Sequence, residues 1–327
     1  MSAERFLVTG AMGCIGAWAV RNLAREGLSP VVFDLATDPR RLKQIATAVE
    51  LARVTFVSGD VTDFAAVERA LDEHEITHVI HLAALQVPFC RANPVLGAQV
   101  NVVGTVNLFE AVARRKQRIS RVVYASSIAV YDAADTDGSA VQHSTVGHPT
   151  TLYGVYKQAN EGTARVYWQD HKLTSIGLRP YTVYGVGRDQ GMTSAPTKAM
   201  FAAAVGQPYQ IPFGGRSVYQ YTDDVANAFI SAARAPFEGV DIFNLPGSTV
   251  TMGEIVAAIE AAAPESTGAI TFADSALPFP EEVDSAPVRA ALGALAYTPL
   301  DAAVRDTVNR FRALVDSGAL AADALLT

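Results

Sequence analysis

The stretch Thr9-Gly10-Ala11-Met12-Gly13-Cys14-Ile15-Gly16 decides how the rest of the chain is read. An apolar run at residues 5–9 precedes it and reads as a buried strand. Residues 13–26 follow as a helix, with Gly27 placed to cap its end. Glycines in a GxxGxxG spacing let the chain turn sharply and let its backbone approach a pyrophosphate. The helix that opens there offers free N–H groups and the positive end of its dipole to the phosphates. A glycine turn between a strand and a helix predicts a dinucleotide site on Gly10, Met12, Gly13, Cys14, Ile15 and Gly16.

Working outward, short apolar strands at residues 30–34, 53–57, 77–82, 121–126 and 174–178 alternate with helices at 63–73, 101–116 and 153–171. That alternation predicts an α/β fold, a doubly wound parallel-sheet Rossmann domain covered by helices on both faces. We place it at residues 1–180. A smaller C-terminal α/β substrate-binding region follows at 181–327, some of whose segments return to the first domain. Residues 185–222 are rich in Gly, Pro and Thr and are expected as loops that close over a ligand. Residues 223–235, 252–263 and 300–315 look helical. The Pro-, Ser- and acid-rich stretch 264–287 is expected as a surface excursion.

Asp34 ends the second strand, 18 residues after Gly16. A carboxylate there accepts hydrogen bonds from ribose hydroxyls and repels a 2′-phosphate, which favours NAD over NADP. Arg40 and Arg41 lie nearby and keep an NADP option open. Asp60 and Val61, after the third strand, are placed for the adenine. For the chemistry, Tyr153 and Lys157 stand four apart on one helix face. A phenol has a free pKa of about 10. A nearby ammonium favours the phenolate, which can then take a proton from a substrate hydroxyl. Tyr156 is the alternative tyrosine, facing another direction. The Ser126-Ser127 pair ends a strand at the carboxyl edge of the sheet, where ligands bind in such folds. His81, at another strand end, reads as structural.

Composition narrows the classes. The chain has 327 residues, half of them hydrophobic, and a net charge of −7. With no basic tract, nucleic acid is not an expected partner. Two cysteines, Cys14 and Cys90, give no disulfide framework and suit a reducing compartment. The N-terminus lacks the regions of a signal peptide, and no charge-free span of about 20 apolar residues is expected, so no membrane span is predicted and the cytoplasm is the expected compartment. The histidines show no metal spacing, and no metal site is expected.

The sequence resembles the extended short-chain dehydrogenase/reductase superfamily, in its NAD-dependent epimerase/dehydratase branch. The matching pieces are TGAMGCIG, FD at Asp34, GDVTD at 59–63, HLAA at 81–84, NVVGTVNLFEA at 101–111, YASSIAVY at 124–131, YGVYK at 153–157, LRPYTVYGVG at 178–187 and YTDDVANAF at 221–229. The resemblance implies Ser127 as the active-site serine, Tyr153 as acid/base and Lys157 as its partner. It places Leu82, Ala83, Ala84, Asn101, Ala125, Tyr153, Lys157, Tyr181 and Val183 along the cofactor. It also implies a homodimer built on the 101–116 and Tyr153 helices.

Nucleotide-sugar enzymes of this branch carry an arginine ahead of the YVDD segment that holds the substrate diphosphate, as a guanidinium fork suits phosphate oxygens. Here that position is Ser217, with Arg216 one residue off, and Asp274, Glu281, Glu282 and Asp284 crowd the stretch where a second arginine is usual. The expected substrate is therefore a small molecule without a nucleotide: a sugar acid, polyol, free sugar or hydroxy acid. Arg188 is the candidate to hold a carboxylate, with Gln86, Ser127, Tyr153, Thr193 and Ser194 completing the pocket; a plain surface-loop role for Arg188 stays open. The function read from the sequence is an NAD-dependent dehydrogenase. A sugar epimerase that keeps its cofactor is the rival, ahead of a nucleotide-sugar enzyme or an NAD-sensing binding module.

Overall fold

The strands carry apolar side chains on both faces, and successive residues of a strand point opposite ways. In the computed structural model, which describes residues 4–326, this alternation separates two cores. Phe6, Val8, Val32, Ile80, Val123 and Ile176 pack on one side with Trp18 and Leu23 of the helix Cys14–Arg25. Leu7, Val31, Phe33, Val79, Val122 and Tyr124 pack on the other with Leu71, Leu108 and Phe109. Each such buried side chain contributes on the order of 1.5–3 kcal/mol.

The strands are β1 (Phe6–Thr9), β2 (Val31–Asp34), β3 (Thr55–Ser58), β4 (His78–His81), β5 (Arg121–Ala125), β6 (Thr174–Arg179), β7 (Thr182–Tyr184), β8 (Tyr209–Ile211), β9 (Arg216–Tyr221), β10 (Val240–Asn244), β11 (Ser248–Thr251) and β12 (Ile270–Phe272). Seven of them form one sheet in the order β10-β6-β5-β4-β1-β2-β3, and every pair in it is parallel. The chain leaves β1 for β2 and β3 on one side, then crosses back to β4, β5 and β6 on the other. The carboxyl ends of β1 and β4 therefore border a crevice where the winding reverses, the position at which such sheets bind ligands.

The second half does not stay apart. The helix Thr222–Arg234 packs on Cys14–Arg25, where Asn22 Nδ2 donates to Asp223 at 2.6 Å and to Asn227 at 3.0 Å. β10 then extends the large sheet beside β6. The remainder forms a three-stranded sheet, β11-β9-β7, and the pair β12-β8.

Three expectations about elements change. Residues 185–222 are loop only at their start: the helix Ala195–Ala204 and strands β8 and β9 follow, with Ala199, Met200 and Phe201 fully buried. Gly, Pro and Thr content signalled turns and hid a helix that is buried on nearly every side, half of its buried residues being alanine. Residues 264–287 are tied down: β12 pairs with β8, Tyr181 Oη donates to Pro280 O at 2.6 Å, and Phe279 is buried. Their polar composition describes one side of a segment whose other side is covered. The helix expected at 101–116 begins earlier. Asn93 caps a turn opened by Pro94, accepting from Leu96 N–H, and a π turn at Gln99–Val103 leads into Gly104–Ala113.

Among the described residues, this one helical run, Pro94–Ala113, is long and apolar enough to cross a membrane by length and composition. Its Asn101, Leu108, Phe109 and Val112 are buried within the fold. Cys14 and Cys90 are both free, and no cluster of metal-ligating side chains occurs among the described residues.

Candidate active site

The crevice holds a cavity of about 480 Å³ that runs from the glycine turn to the Tyr153 helix. At its base, Gly10 adopts φ +65° and its N–H bonds Phe33 O at 3.1 Å. A Cβ on Gly10 would lie 2.5 Å from Ala83 N, and one on Gly16 would lie 2.5 Å from Gly10 O. Both contacts are far inside van der Waals distance, so the turn closes against the 82–84 segment only with glycine at these positions. The helix that follows is capped by Gly13 without any side-chain hydrogen bond. Its first N–H groups remain available to an anion.

Asp34 is held at the end of β2 by two backbone donors, Met12 N–H and Ala36 N–H, each at 2.9 Å. Arg41 is committed elsewhere. Its Nη1 donates to Met12 O at 2.8 Å and its Nη2 pairs with Asp189 at 2.6 Å. Arg40 is half exposed and lies 3.7 Å from the same carboxylate. Arg41 is thus committed, and Asp34 keeps a fixed carboxylate where a 2′-phosphate would lie, which favours NAD. Asp60 and Val61 line the same end, with Asp60 accepting from Thr62 N–H at 2.8 Å. An uncapped helix start, glycines packed too tightly for any side chain and a fixed carboxylate beyond them fit a dinucleotide.

At the other end, Thr151 caps the helix Leu152–His171 through Gly154 N–H. Tyr153 and Lys157 then point into the cavity, with Lys157 Nζ 5.6 Å from the Tyr153 ring centre. Lys157 is 3 % exposed and donates to Ala125 O at 2.7 Å. Burial pushes its pKa down to about 8. Burial also raises the Tyr153 phenol, against which the Ser127 hydroxyl and the Arg188 charge act in the opposite sense. Ser127 in turn accepts from Ala129 N–H at 3.2 Å. Tyr156 faces away and donates to Pro94 O at 2.9 Å.

The remaining expected residues, Met12, Cys14, Ile15, Leu82, Ala84, Gln86, Tyr181, Val183, Arg188 and Thr193, all border the cavity. Asn101 and Ser194 do not: Ser194 is buried with its hydroxyl donating to Gly191 O at 2.8 Å, and the expected place of Asn101 along the cofactor is corrected. It is fully buried behind the wall, where Oδ1 accepts from Leu85 N–H at 2.7 Å and Nδ2 donates to Leu85 O at 2.9 Å. An amide that grips one residue at both backbone groups fixes the 82–86 segment. His81 is likewise behind the wall. Thr105 gives its own hydroxyl proton to Asn101 O at 2.8 Å, so it accepts from His81 Nε2–H at 3.0 Å, and Nδ1 accepts from Thr9 Oγ1 at 2.7 Å. Burial drives the His81 pKa down to about 3, and the ring is neutral.

One group escaped the sequence reading. Ser126 Oγ donates to Glu161 at 2.5 Å, and Arg179 clasps the same carboxylate through Nε and Nη2, each at 2.8 Å. Arg179 also donates to His143 O at 2.7 Å and to Tyr131 Oη. The Glu161 and Arg179 side chains are 5 % and 2 % exposed. This ion pair joins the end of β5, the end of β6 and the Tyr153 helix. Its signal was present: Tyr153, Lys157 and Glu161 succeed one another at four-residue steps on one helix face.

Comparison with known proteins agrees with this architecture. Among curated relatives, UDP-glucuronate 4-epimerase 6 of Arabidopsis thaliana is 33 % identical over 183 residues, which cover 55 % of this chain and 39 % of that protein. UDP-glucuronate 4-epimerase 5 of the same plant is 30 % identical over 233 residues, 69 % and 53 % of the two chains. The chain thus spans about half the length of these relatives or less. The UDP-glucose 4-epimerase of Thermus thermophilus, solved with NAD, is 28 % identical with a TM-score of 0.78, covering 94 % of this chain and 99 % of that one. A partial consensus L-threonine 3-dehydrogenase is 25 % identical with a TM-score of 0.83, covering 95 % and 100 %. The family model for NAD dependent epimerases and dehydratases matches residues 6–245. That match runs from the first residue of β1 to just past the last of β10, so it takes in the entire parallel sheet, and the chain belongs to the NAD dependent epimerase/dehydratase family, with NAD as the cofactor its glycine turn fits.

Proposed function

We propose that the protein is a dehydrogenase that interconverts a small alcohol and its carbonyl compound, the substrate carrying no nucleotide. Bound NAD supplies the hydride acceptor and donor. Tyr153 Oη takes the proton of the substrate hydroxyl as the C–H bond breaks, and returns it in the reverse direction. Ser127 Oγ, beside Tyr153, hydrogen-bonds the same oxygen and fixes its direction. Lys157, anchored on Ala125 O, keeps a positive charge beside the phenol and favours its anion.

The observation that carries the substrate reading is the fate of the arginines. Ser217 is 1 % exposed and its hydroxyl lies 3.5 Å from that of Thr182. Arg216 points outward and pairs with Glu282 at 3.3 Å. With Arg41 bound to Asp189 and Lys157 serving Tyr153, Arg188 is the one cation on the cavity wall, among the described residues, left to meet a substrate anion. A nucleoside diphosphate, with two charged phosphates, calls for more. The likeness to an L-threonine 3-dehydrogenase, named for a small hydroxy amino acid, supports the same reading.

An epimerase that oxidises and re-reduces one molecule is the second reading, favoured by the identity to UDP-glucuronate 4-epimerases. The two separate in an absorbance screen at the NADH band with NAD and sugar acids, aldoses, polyols and hydroxy amino acids, and with UDP-sugars as controls. Net NADH from a small substrate, and none from UDP-sugars, is the expected result. Epimerisation of a UDP-sugar without net NADH would sink the dehydrogenase. A sensor that only binds NAD has no use for Ser127, Tyr153 and Lys157 arranged as they are.

The exposed apolar side chains Val95, Leu96, Val103, Leu152, Val155 and Val166 lie on the helical run 94–113 and on the Tyr153 helix. A homodimer is proposed to cover them, and light scattering at twice the 34.6 kDa chain mass would bear this out, while a monomer would refute it.

A further inference from the structure

The loop 185–194 and the segment after β4 each bring a residue with an unpartnered buried polar atom to the cavity wall. Arg188 is set by a turn, its N–H bonding Gly185 O at 3.0 Å, and its Nη2 donates to Thr193 Oγ1 at 3.0 Å. Its Nε is buried and has no partner. No carboxylate pairs with Arg188 among the described residues, because the neighbouring Asp189 turns to Arg41. Beside it, Gln86 Oε1 is also buried without a partner. The two side chains converge on Gly191: a Cβ there would lie 2.1 Å from Gln86 Oε1 and 3.3 Å from Arg188 Nη2. Any larger residue would push the amide aside, so glycine lets both side chains meet at one place on the cavity wall. Buried polar groups in folded proteins are paired, and two orphans on neighbouring residues of one cavity wall point to a ligand that pairs both.

The chemistry of the two orphans is opposite. A guanidinium donates and is always charged, so it takes an anion, and its planar fork matches a carboxylate. An amide oxygen accepts, so it takes a hydroxyl proton. We propose that Arg188 and Gln86 form an acid subsite, and that the substrate is a polyhydroxy carboxylate with its carboxylate on Arg188 and the hydroxyl of an adjoining carbon on Gln86. This rests on the dehydrogenase reading and narrows its substrate class. The Arg188 charge acts on the Tyr153 phenol and on the Cys14 thiol of the glycine turn, so the subsite lies between the reacting centre and that turn on the wall both share. A hydroxyl farther along the same molecule then meets Tyr153 and Ser127.

The test uses the NAD-loaded protein and matched probes: gluconate, galactonate, threonate and glycerate, the polyol of each in which CH2OH replaces the carboxylate, and 2-deoxygluconate. At least one acid is expected to exceed its polyol by on the order of a hundredfold in kcat/KM, about what the loss of one hydrogen bond to a charged group costs. In Arg188→Gln that ratio should collapse by about the same factor, with Arg188→Lys between the two. The advantage of gluconate over 2-deoxygluconate should vanish in Gln86→Ala. NAD affinity, measured separately by calorimetry, reports folding and the alternative role. If Arg188→Gln weakens NAD by the factor it costs the acid, Arg188 belongs to the cofactor and the subsite is overturned. Equal turnover of acids and polyols overturns the subsite and leaves the dehydrogenase standing. Turnover of UDP-sugars alone, or of no probe, brings down both.

Discussion

In Tyr153→Phe, turnover is expected to fall by about a thousandfold, within the range by which a positioned acid or base accelerates proton transfer, while NAD still binds. The phenol ring stays, so the wall of the cavity keeps its shape, and only the atom that carries the proton is lost. A rate within tenfold of the parent enzyme would remove Tyr153 from the mechanism. The pH profile adds a second reading of the same atom. Burial raises the phenol, so the alcohol-oxidising rate should climb along a limb where Tyr153 loses its proton. Lys157 Nζ lies 5.6 Å from the centre of the Tyr153 ring. Replacing it by methionine removes the cation and should move the limb upward by about one unit or more, since a neighbouring opposite charge shifts an ionisable group by about 1–3 units. A limb that stays in place would mean that Lys157 acts only by position.

The second large effect is on stability. Arg179→Met is expected to cost about 3–5 kcal/mol in denaturant unfolding, the usual penalty for removing one partner of a buried ion pair. Glu161 would be left almost fully buried with only Ser126 to solvate it. The loss should also reach the chemistry, because the same pair holds the β5 and β6 ends against the catalytic helix. Replacing both residues by apolar ones should recover much of the stability but not the rate, which separates a fold defect from misplacement of Ser127. A single variant as stable as the parent chain would show that the pair contributes little.

What was legible in the sequence follows from range. The glycine turn, Asp34 and the Tyr153/Lys157 pair are local patterns, and turn chemistry and helix periodicity operate within a few residues. The parallel sheet was legible because both faces of its inner strands are buried, which writes near-continuous apolar runs; the edge strand β3 is largely exposed. Asn101 was misplaced because a polar residue at a helix start looks the same whether it faces a ligand or clamps a backbone 16 residues away. The Glu161–Arg179 pair spans two elements: four-residue spacing puts Glu161 on the Tyr153 face, but nothing near it announces Arg179 as its partner. The helix Ala195–Ala204 was lost for a different reason: buried alanine writes a weak period. Phe279 joins the cavity wall from a stretch whose composition is that of a surface loop.

The ion pair between Arg41 and Asp189 has an implication for redesign. Arg41 is the nearest cation that could be recruited to recognise NADP, yet it anchors the residue next to Arg188. A coenzyme switch that turns Arg41 toward a 2′-phosphate therefore releases Asp189 and loosens the loop that presents Arg188. If Arg188 holds the substrate as proposed, coenzyme preference and substrate recognition are joined through this one ion pair, and selection on the first would register as a weaker KM for the second.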